Sequence, residues 1–123
     1  MKKILIADDA AEIRRLLSAT LDPDEYRVIE AHDGLEAVRQ CGRHKPDAVI
    51  MDIRMPGRLN GIEATRMIKE SVETCNCRIV VLSGLGNEQY VAEALAAGAS
   101  AYLTKPFSPL ELLCKIEELL GID

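Results

Sequence analysis

The sequence predicts an α/β domain in which one five-stranded parallel sheet is covered by helices on both faces. Two observations carry this. Short aliphatic or β-branched runs alternate five times with segments of helical period, the pattern of successive βα units. Three of the runs, ILIA, AVIM and RIVVL, are almost continuously apolar. Strands buried on both faces read that way, whereas a half-exposed antiparallel strand alternates polar with apolar. A length of 123 residues fits one domain over 1–123, large enough to bury a core without disulfides or a structural metal.

In chain order the strands are Ile4 to Ala7, Tyr26 to Ala31, Ala48 to Met51, Arg78 to Leu82 and Ala101 to Thr104. Between them lie one-sided helical stripes. Ile13, Leu16, Leu17 and Leu21 mark the first, Gly34, Ala37, Val38 and Cys41 the second, Ile62, Thr65, Ile68 and Val72 the third. Val91, Ala94, Leu95 and Gly98 mark the fourth, and Leu112, Leu113, Ile116, Leu119 and Leu120 the last. The last helix has a complete start signal: Ser108 as cap, Pro109 at the first position and Glu111 at capping-box spacing. Repeats, linkers and low-complexity segments are absent from the sequence.

Composition narrows the function. The chain is 48% hydrophobic but only 3% aromatic, so aliphatic residues must build the core. A net charge of -5 with scattered basic residues excludes a broad phosphate-backbone footprint, so direct nucleic-acid binding is not expected. Cys41, Cys75, Cys77 and Cys114 form no C-x-x-C pair and no zinc tetrad, and read as free, mostly buried thiols. Aspartates interrupt MKKILIADDA before a signal-peptide core or membrane span can form, which points to the cytoplasm and away from a membrane.

Function enters at the carboxyl ends of the strands, where open α/β sheets bind ligands. The first strand runs into Asp8 and Asp9, the third into Asp52, the fourth into Ser83 and the fifth into Lys105. A parallel sheet brings these ends to one edge. Three carboxylates there repel one another unless a hard cation lies between them, and Mg²⁺, which takes oxygen ligands octahedrally and keeps open positions, is the natural candidate. A carboxylate then acts as nucleophile toward phosphorus, while the metal and a lysine neutralise charge on the phosphoryl oxygens. Ser83 adds a neutral hydrogen bond.

LIADDA, VIMDIRMPG, VVLSG and AYLTKPF, in this order and at these distances, closely resemble the receiver domains of bacterial response regulators, and the likeness covers essentially the whole chain. The resemblance implies a flavodoxin-like (βα)5 three-layer sandwich with strand order 2-1-3-4-5. It implies Asp52 as phosphoacceptor, Asp9 as direct metal ligand, Asp8 as a ligand acting largely through water, and the Arg54 backbone carbonyl as a further ligand of Mg²⁺, for which Mn²⁺ could substitute. Lys105 would pair with the phosphoryl group, across a cis Lys105–Pro106 peptide that aims it. Ser83 and Tyr102 would be the switch pair, changing the surface of the fourth helix, fifth strand and fifth helix. The implied partners are a sensor histidine kinase or phosphotransfer protein, with acetyl phosphate as a small donor. The downstream effector is not readable. Such a domain is no dedicated enzyme, although it catalyses its own phosphorylation and dephosphorylation. Helix four, EQYVAEALAAG, carries no basic residue, which favours a monomer or a phosphorylation-dependent dimer. A stand-alone regulator and a receiver cut from a longer protein are both compatible with the sequence.

Taken singly, each of these residues has an ordinary reading. Asp9, three before Glu12, could cap the first helix; Asp52 could be a turn residue before Pro56 and Gly57; Ser83 with Gly84 could begin a loop; Lys105 could be a surface lysine and Tyr102 a half-buried strand residue. Their coincidence of position argues otherwise. Competing classes are weaker. An aspartyl-phosphate phosphatase of the haloacid-dehalogenase type needs a second aspartate where Arg54 stands. A phosphorylation-independent pseudo-receiver would be expected to lose the acceptor, lysine or acidic pair, and a flavodoxin would need a Ser/Thr-rich phosphate loop after the first strand. The chain departs from the family pattern in the loop from Asp52 to Gly61, one residue longer than common, with Arg58 and Leu59 before Asn60. Arg54 and Leu85 stand two positions after Asp52 and Ser83, where family members overhang the acyl phosphate. They are expected to shield it from water, so an Arg54→Ala, Leu85→Ala double variant should dephosphorylate faster than wild type; an equal rate would remove that role.

Overall fold

The computed structural model describes residues 1–84 and 88–121. Its elements run β1 (Lys2–Ala7), α1 (Ala11–Thr20), β2 (Tyr26–Ala31), α2 (Gly34–His44), β3 (Ala48–Asp52), α3 (Gly61–Glu70), β4 (Arg78–Ser83), α4 (Glu88–Ala96), β5 (Ala101–Thr104) and α5 (Pro109–Leu120). All pairings are parallel, in the order β2-β1-β3-β4-β5, the order that the resemblance implied.

Burial follows that order. The inner strands β1, β3 and β4 are the apolar runs of the sequence, and every residue of β3 is buried. The edge strands differ: β2 mixes buried with exposed positions and β5 has no fully buried residue. The sheet divides the core in two. Leu5, Val49, Met51, Ile79 and Val81 face α2, α3 and α4 with Ala37, Ile62, Ile68 and Ala94. Ile4, Ile6, Ile50, Val80 and Leu82 face α1 and α5 with Leu17, Leu112 and Ile116. Neighbours along a strand therefore serve opposite cores, as the two-residue period requires.

Three apolar residues assigned to helical stripes lie elsewhere. Val72 is 90% exposed, because α3 stops at Glu70 and the chain turns so that Thr74 takes the buried place, its hydroxyl donating to the Ile68 carbonyl at 2.6 Å. Leu16 and Leu95 are about half exposed, at 53% and 49%. On α1 the inward face is the narrower row of Ile13, Leu17 and Leu21; on α4 Ala94 is the buried residue. β1, β3 and β4 also extend beyond the expected bounds, taking in Lys2 and Lys3, Asp52 and Ser83 respectively.

At α5 the Ser108 hydroxyl accepts from the Glu111 N–H at 3.0 Å, with Pro109 in the first turn, as the sequence signals. A full capping box forms at α3, where Asn60 accepts from the Glu63 N–H at 2.9 Å and Glu63 accepts from the Asn60 N–H at 3.0 Å. The periodic pattern alone had not singled out that box. Between β3 and α3 the Gly61 N–H donates to the Ile53 carbonyl at 2.8 Å, closing the loop on itself. A Cβ on Gly61 would collide with the backbone carbonyl of Asp52 and the Cα of Ile53. Gly42, exposed in the last turn of α2, has open space around it. The same substitution should therefore have opposite signs at the two sites. Gly61→Ala should destabilise by about 2 kcal/mol or more, because backbone must move, and Gly42→Ala should stabilise by roughly 0.5–1 kcal/mol through helix propensity. Urea unfolding followed by circular dichroism measures both.

Candidate functional site

Register decides what meets at the carboxyl edge. Ala7 pairs with Met51, Asp52 with Leu82 and Ser83 with Thr104, so Asp8, Asp52, Ser83 and Lys105 stand at strand ends that lie within two residues of each other. The Asp8 N–H donates to the Ala31 carbonyl at 3.1 Å and the Lys105 N–H to the Ser83 carbonyl at 2.8 Å, carrying sheet pairing one step past the strands. The Lys105–Pro106 peptide is cis.

The carboxylates of Asp8, Asp9 and Asp52 converge, with one oxygen of each lying within 4.8 Å of the others. Asp8 and Asp52 are buried, at 3% and 7% exposure, while Asp9 is open to solvent. Asp9 is not the cap of α1: that position is Ala10, which makes no side-chain capping bond. It is Asp8 that accepts from the Ala10 N–H, at 2.9 Å, and its carbonyl accepts from Arg14 Nη1 at 2.7 Å. Arg14 is held in turn by Glu30 at 3.0 Å. Arg14 was not among the expected site residues; an arginine one helical turn into α1 carries no signal that it reaches back to a strand end.

Lys105 Nζ stands 3.4 Å from Asp52 Oδ1 and 3.5 Å from Asp8 Oδ2. A charge-assisted bond is closer to 2.7–2.9 Å, so the lysine spans both carboxylates without closing on either. Ser83 is buried at the end of β4. An open cleft of about 370 Å³ is lined by Asp52, Arg54, Ser83, Gly84 and Lys105. Asp9 and Arg54 also border a neighbouring cavity of about 450 Å³ with Ile53, Met55, Pro56, Asn60 and Tyr90. Tyr102 is half-buried against the α2–α4 core and pairs with Val81, two residues before Ser83. Leu85, the other residue expected to overhang the site, lies outside the described residues.

Charge at this edge is unbalanced. With three carboxylates and one ammonium the cluster sums to -3 + 1 = -2. Burial pushes the Asp52 carboxyl up from 3.8 to about 6; Lys105 opposes this and the charges of Asp8 and Asp9 add to it. The donors are all oxygen, the ligand type that an octahedral Mg²⁺ takes, and they lie within 4.8 Å of one another. The residues fit a hard divalent cation.

The raised pKa makes stability depend on pH in a definite direction. Between 3.8 and about 6 the folded chain holds a proton on Asp52 that the unfolded chain has lost, so stability falls as pH rises through this window. A rise from 3.8 to about 6 corresponds to about 3 kcal/mol. In EDTA at pH 7.5, Asp52→Asn should therefore unfold at higher urea than wild type, by an amount on the order of 2 kcal/mol, and the advantage should vanish near pH 4. A variant no more stable than wild type at pH 7.5 would mean that the Asp52 carboxylate is not electrostatically strained.

Residues 4–117 match the response regulator receiver domain. The chain is 38% identical over 118 residues to the transcriptional regulatory protein ResD of Bacillus subtilis, covering 96% of this chain and 48% of ResD. It is 38% identical over 119 residues to the chemotaxis protein CheY of Halobacterium salinarum, covering 97% of each. It thus spans about half the length of ResD and nearly all of that CheY. Among solved structures, the receiver domain of a sensor histidine kinase from Pseudomonas aeruginosa superimposes with a TM-score of 0.87 at 32% identity, covering 98% of both chains, and that protein holds a magnesium ion in its active site cleft. With the acidic edge, the bridging lysine and the strand order all on the same scaffold, this chain belongs to the response regulator receiver domains of two-component signalling.

Proposed function

We propose that Asp52 is the acceptor of a phosphoryl group passed from a sensor histidine kinase, a phosphotransfer protein or a small donor such as acetyl phosphate, and that the aspartyl phosphate switches an output surface. The observation that carries this is the single cluster of Asp8, Asp9, Asp52 and Lys105 at the carboxyl edge of the sheet. A carboxylate oxygen of Asp52 forms the new bond to phosphorus as the donor's bond to phosphorus breaks, and the leaving group departs with the electron pair. Asp8, Asp9, Asp52 and the Arg54 carbonyl would hold Mg²⁺, with Mn²⁺ an alternative, and the bound ion neutralises charge that accumulates on the phosphoryl oxygens. Lys105 exchanges its two long carboxylate contacts for the phosphoryl group, and the Ser83 hydroxyl donates a hydrogen bond to a second phosphoryl oxygen. Burial of Asp52 keeps bulk water from the acyl bond.

Ser83 and Tyr102 form the switch pair in this reading. Movement of the hydroxyl toward phosphorus leaves space that the ring of Tyr102 fills. The face that would change, α4, β5 and α5, is suited to repacking: α4 has one buried residue and β5 has none. Local stability is lowest where few side chains are sealed in. That face is where we place recognition by an output domain or partner, the protein being a monomer or a dimer formed on phosphorylation. All four cysteines are free, in keeping with a cytoplasmic setting, and among the described residues no helix is long and apolar enough to cross a membrane.

Intact-mass measurement after incubation with acetyl phosphate tests the chemistry. One phosphoryl adduct should form with Mg²⁺, fail to form in EDTA and be absent from Asp52→Ala; Lys105→Met should reduce its rate by a factor on the order of 10² or more. A folded wild type that gains no adduct from any donor would mark the chain as a phosphorylation-independent binding module.

A further inference from the structure

The loop from Ile53 to Asn60 is where the chain departs from the family pattern, and its additional residue is not idle. Leu59 is half-buried and lies directly over Gly34, the first residue of α2. A Cβ on Gly34 would run into the carbonyl and the Cβ of Leu59, so α2 and the loop touch at backbone distance. Gly34 is buried and its φ is not in the left-handed region, so any residue could adopt its conformation; only the contact demands glycine. Two residues beyond Leu59, Gly61 makes the same kind of approach to the carbonyl of Asp52. The loop between is tied at both ends, by the Gly61 to Ile53 hydrogen bond and by the buried side chains of Ile53 and Met55. The Asn60–Glu63 capping box fixes the joint between the two glycine contacts.

We infer that Gly34 and Leu59 are positioning residues for the acceptor site, bracing Asp52 from α2 through a series of close contacts, Gly34 against Leu59 and Gly61 against Asp52. The inference rests on the metal-dependent reading of Asp52 above. Packed backbone does not yield as a flexible side chain does, so a displacement at Leu59 passes to Gly61 and from there to the carbonyl next to the reacting carboxylate. The brace also spans the loop that carries Arg54, whose carbonyl is assigned to the metal. Neither Gly34 nor Leu59 touches the reacting atoms. Their effect is on the spacing of the oxygen donors, to which a small octahedral ion is sensitive.

Calorimetric titration of Mg²⁺ into wild type, Gly34→Ala and Leu59→Ala tests this, with melting followed by circular dichroism in EDTA as the structural readout and Val72→Ser as a surface control. Gly34→Ala should bind Mg²⁺ about tenfold more weakly, the low end for groups that support metal ligands. Leu59→Ala, which removes packing without pushing the loop, should weaken binding in the same direction by less. Val72→Ser should leave affinity unchanged. A folded Gly34→Ala with wild-type affinity, even if less stable, would overturn the inference, as would unchanged affinity in Leu59→Ala should Gly34→Ala fail to fold. Absence of Mg²⁺ binding in wild type would sink the reading of the site, and the brace along with it.

Discussion

Burial of the Asp52 carboxylate beside the charges of Asp8 and Asp9 is the constraint around which this molecule is organised. Two of the three are buried, and they share one ammonium held between them at 3.4 and 3.5 Å. Such an arrangement stores unfavourable energy, and the remainder of the fold must hold it in place. Three largely apolar inner strands, covered on both faces, do this by fixing the strand ends to within two register steps. Backbone pairing that continues through Asp8 and Lys105, and the Arg14 contact to the Asp8 carbonyl, extend that rigidity to the charged groups themselves. The strain is relieved by positive charge that enters the cleft, so occupancy of the cleft changes the balance of forces at the sheet edge.

Much of the architecture is legible in the residues alone, because the alternation of apolar runs and helical stripes is a periodic signal that depends little on context. It places all five strands and five helices, and the strand ends then bring Asp8, Asp9, Asp52 and Lys105 together without reference to any contact. The misses have two causes. Val72 continues the spacing of Ile62, Thr65 and Ile68, but periodicity says nothing about where a helix stops, and α3 stops at Glu70. Leu16 and Leu95 show that a stripe in sequence is wider than the face a neighbouring sheet covers.

Other features are invisible in the sequence for a different reason. The roles of Gly34, Gly61 and Arg14 depend on what lies across from them in space, and a lone glycine or arginine at the start of a helix has many ordinary explanations. The ordinary reading of Asp9 as a helix cap falls only because Ala10 occupies that position with no side-chain bond. Strand order is likewise a long-range property. It came from resemblance to a family and not from spacing, and the pairings bear it out.

The sheet is also a partition. Residues on its two sides belong to separate cores, and β5, at the edge, contributes to both: Tyr102 packs on the α2–α4 side, Ala101 and Leu103 on the α1–α5 side. A molecule built this way has a keel and a rudder. The half under α1 and α5 keeps Leu17, Leu112 and Ile116 fully enclosed. The half that contains Tyr102 includes α4, which is anchored by one buried residue, Ala94. Because β5, like every strand, lends side chains to both cores, a displacement of Tyr102 bears on the α1–α5 side through Ala101 and Leu103 beside it.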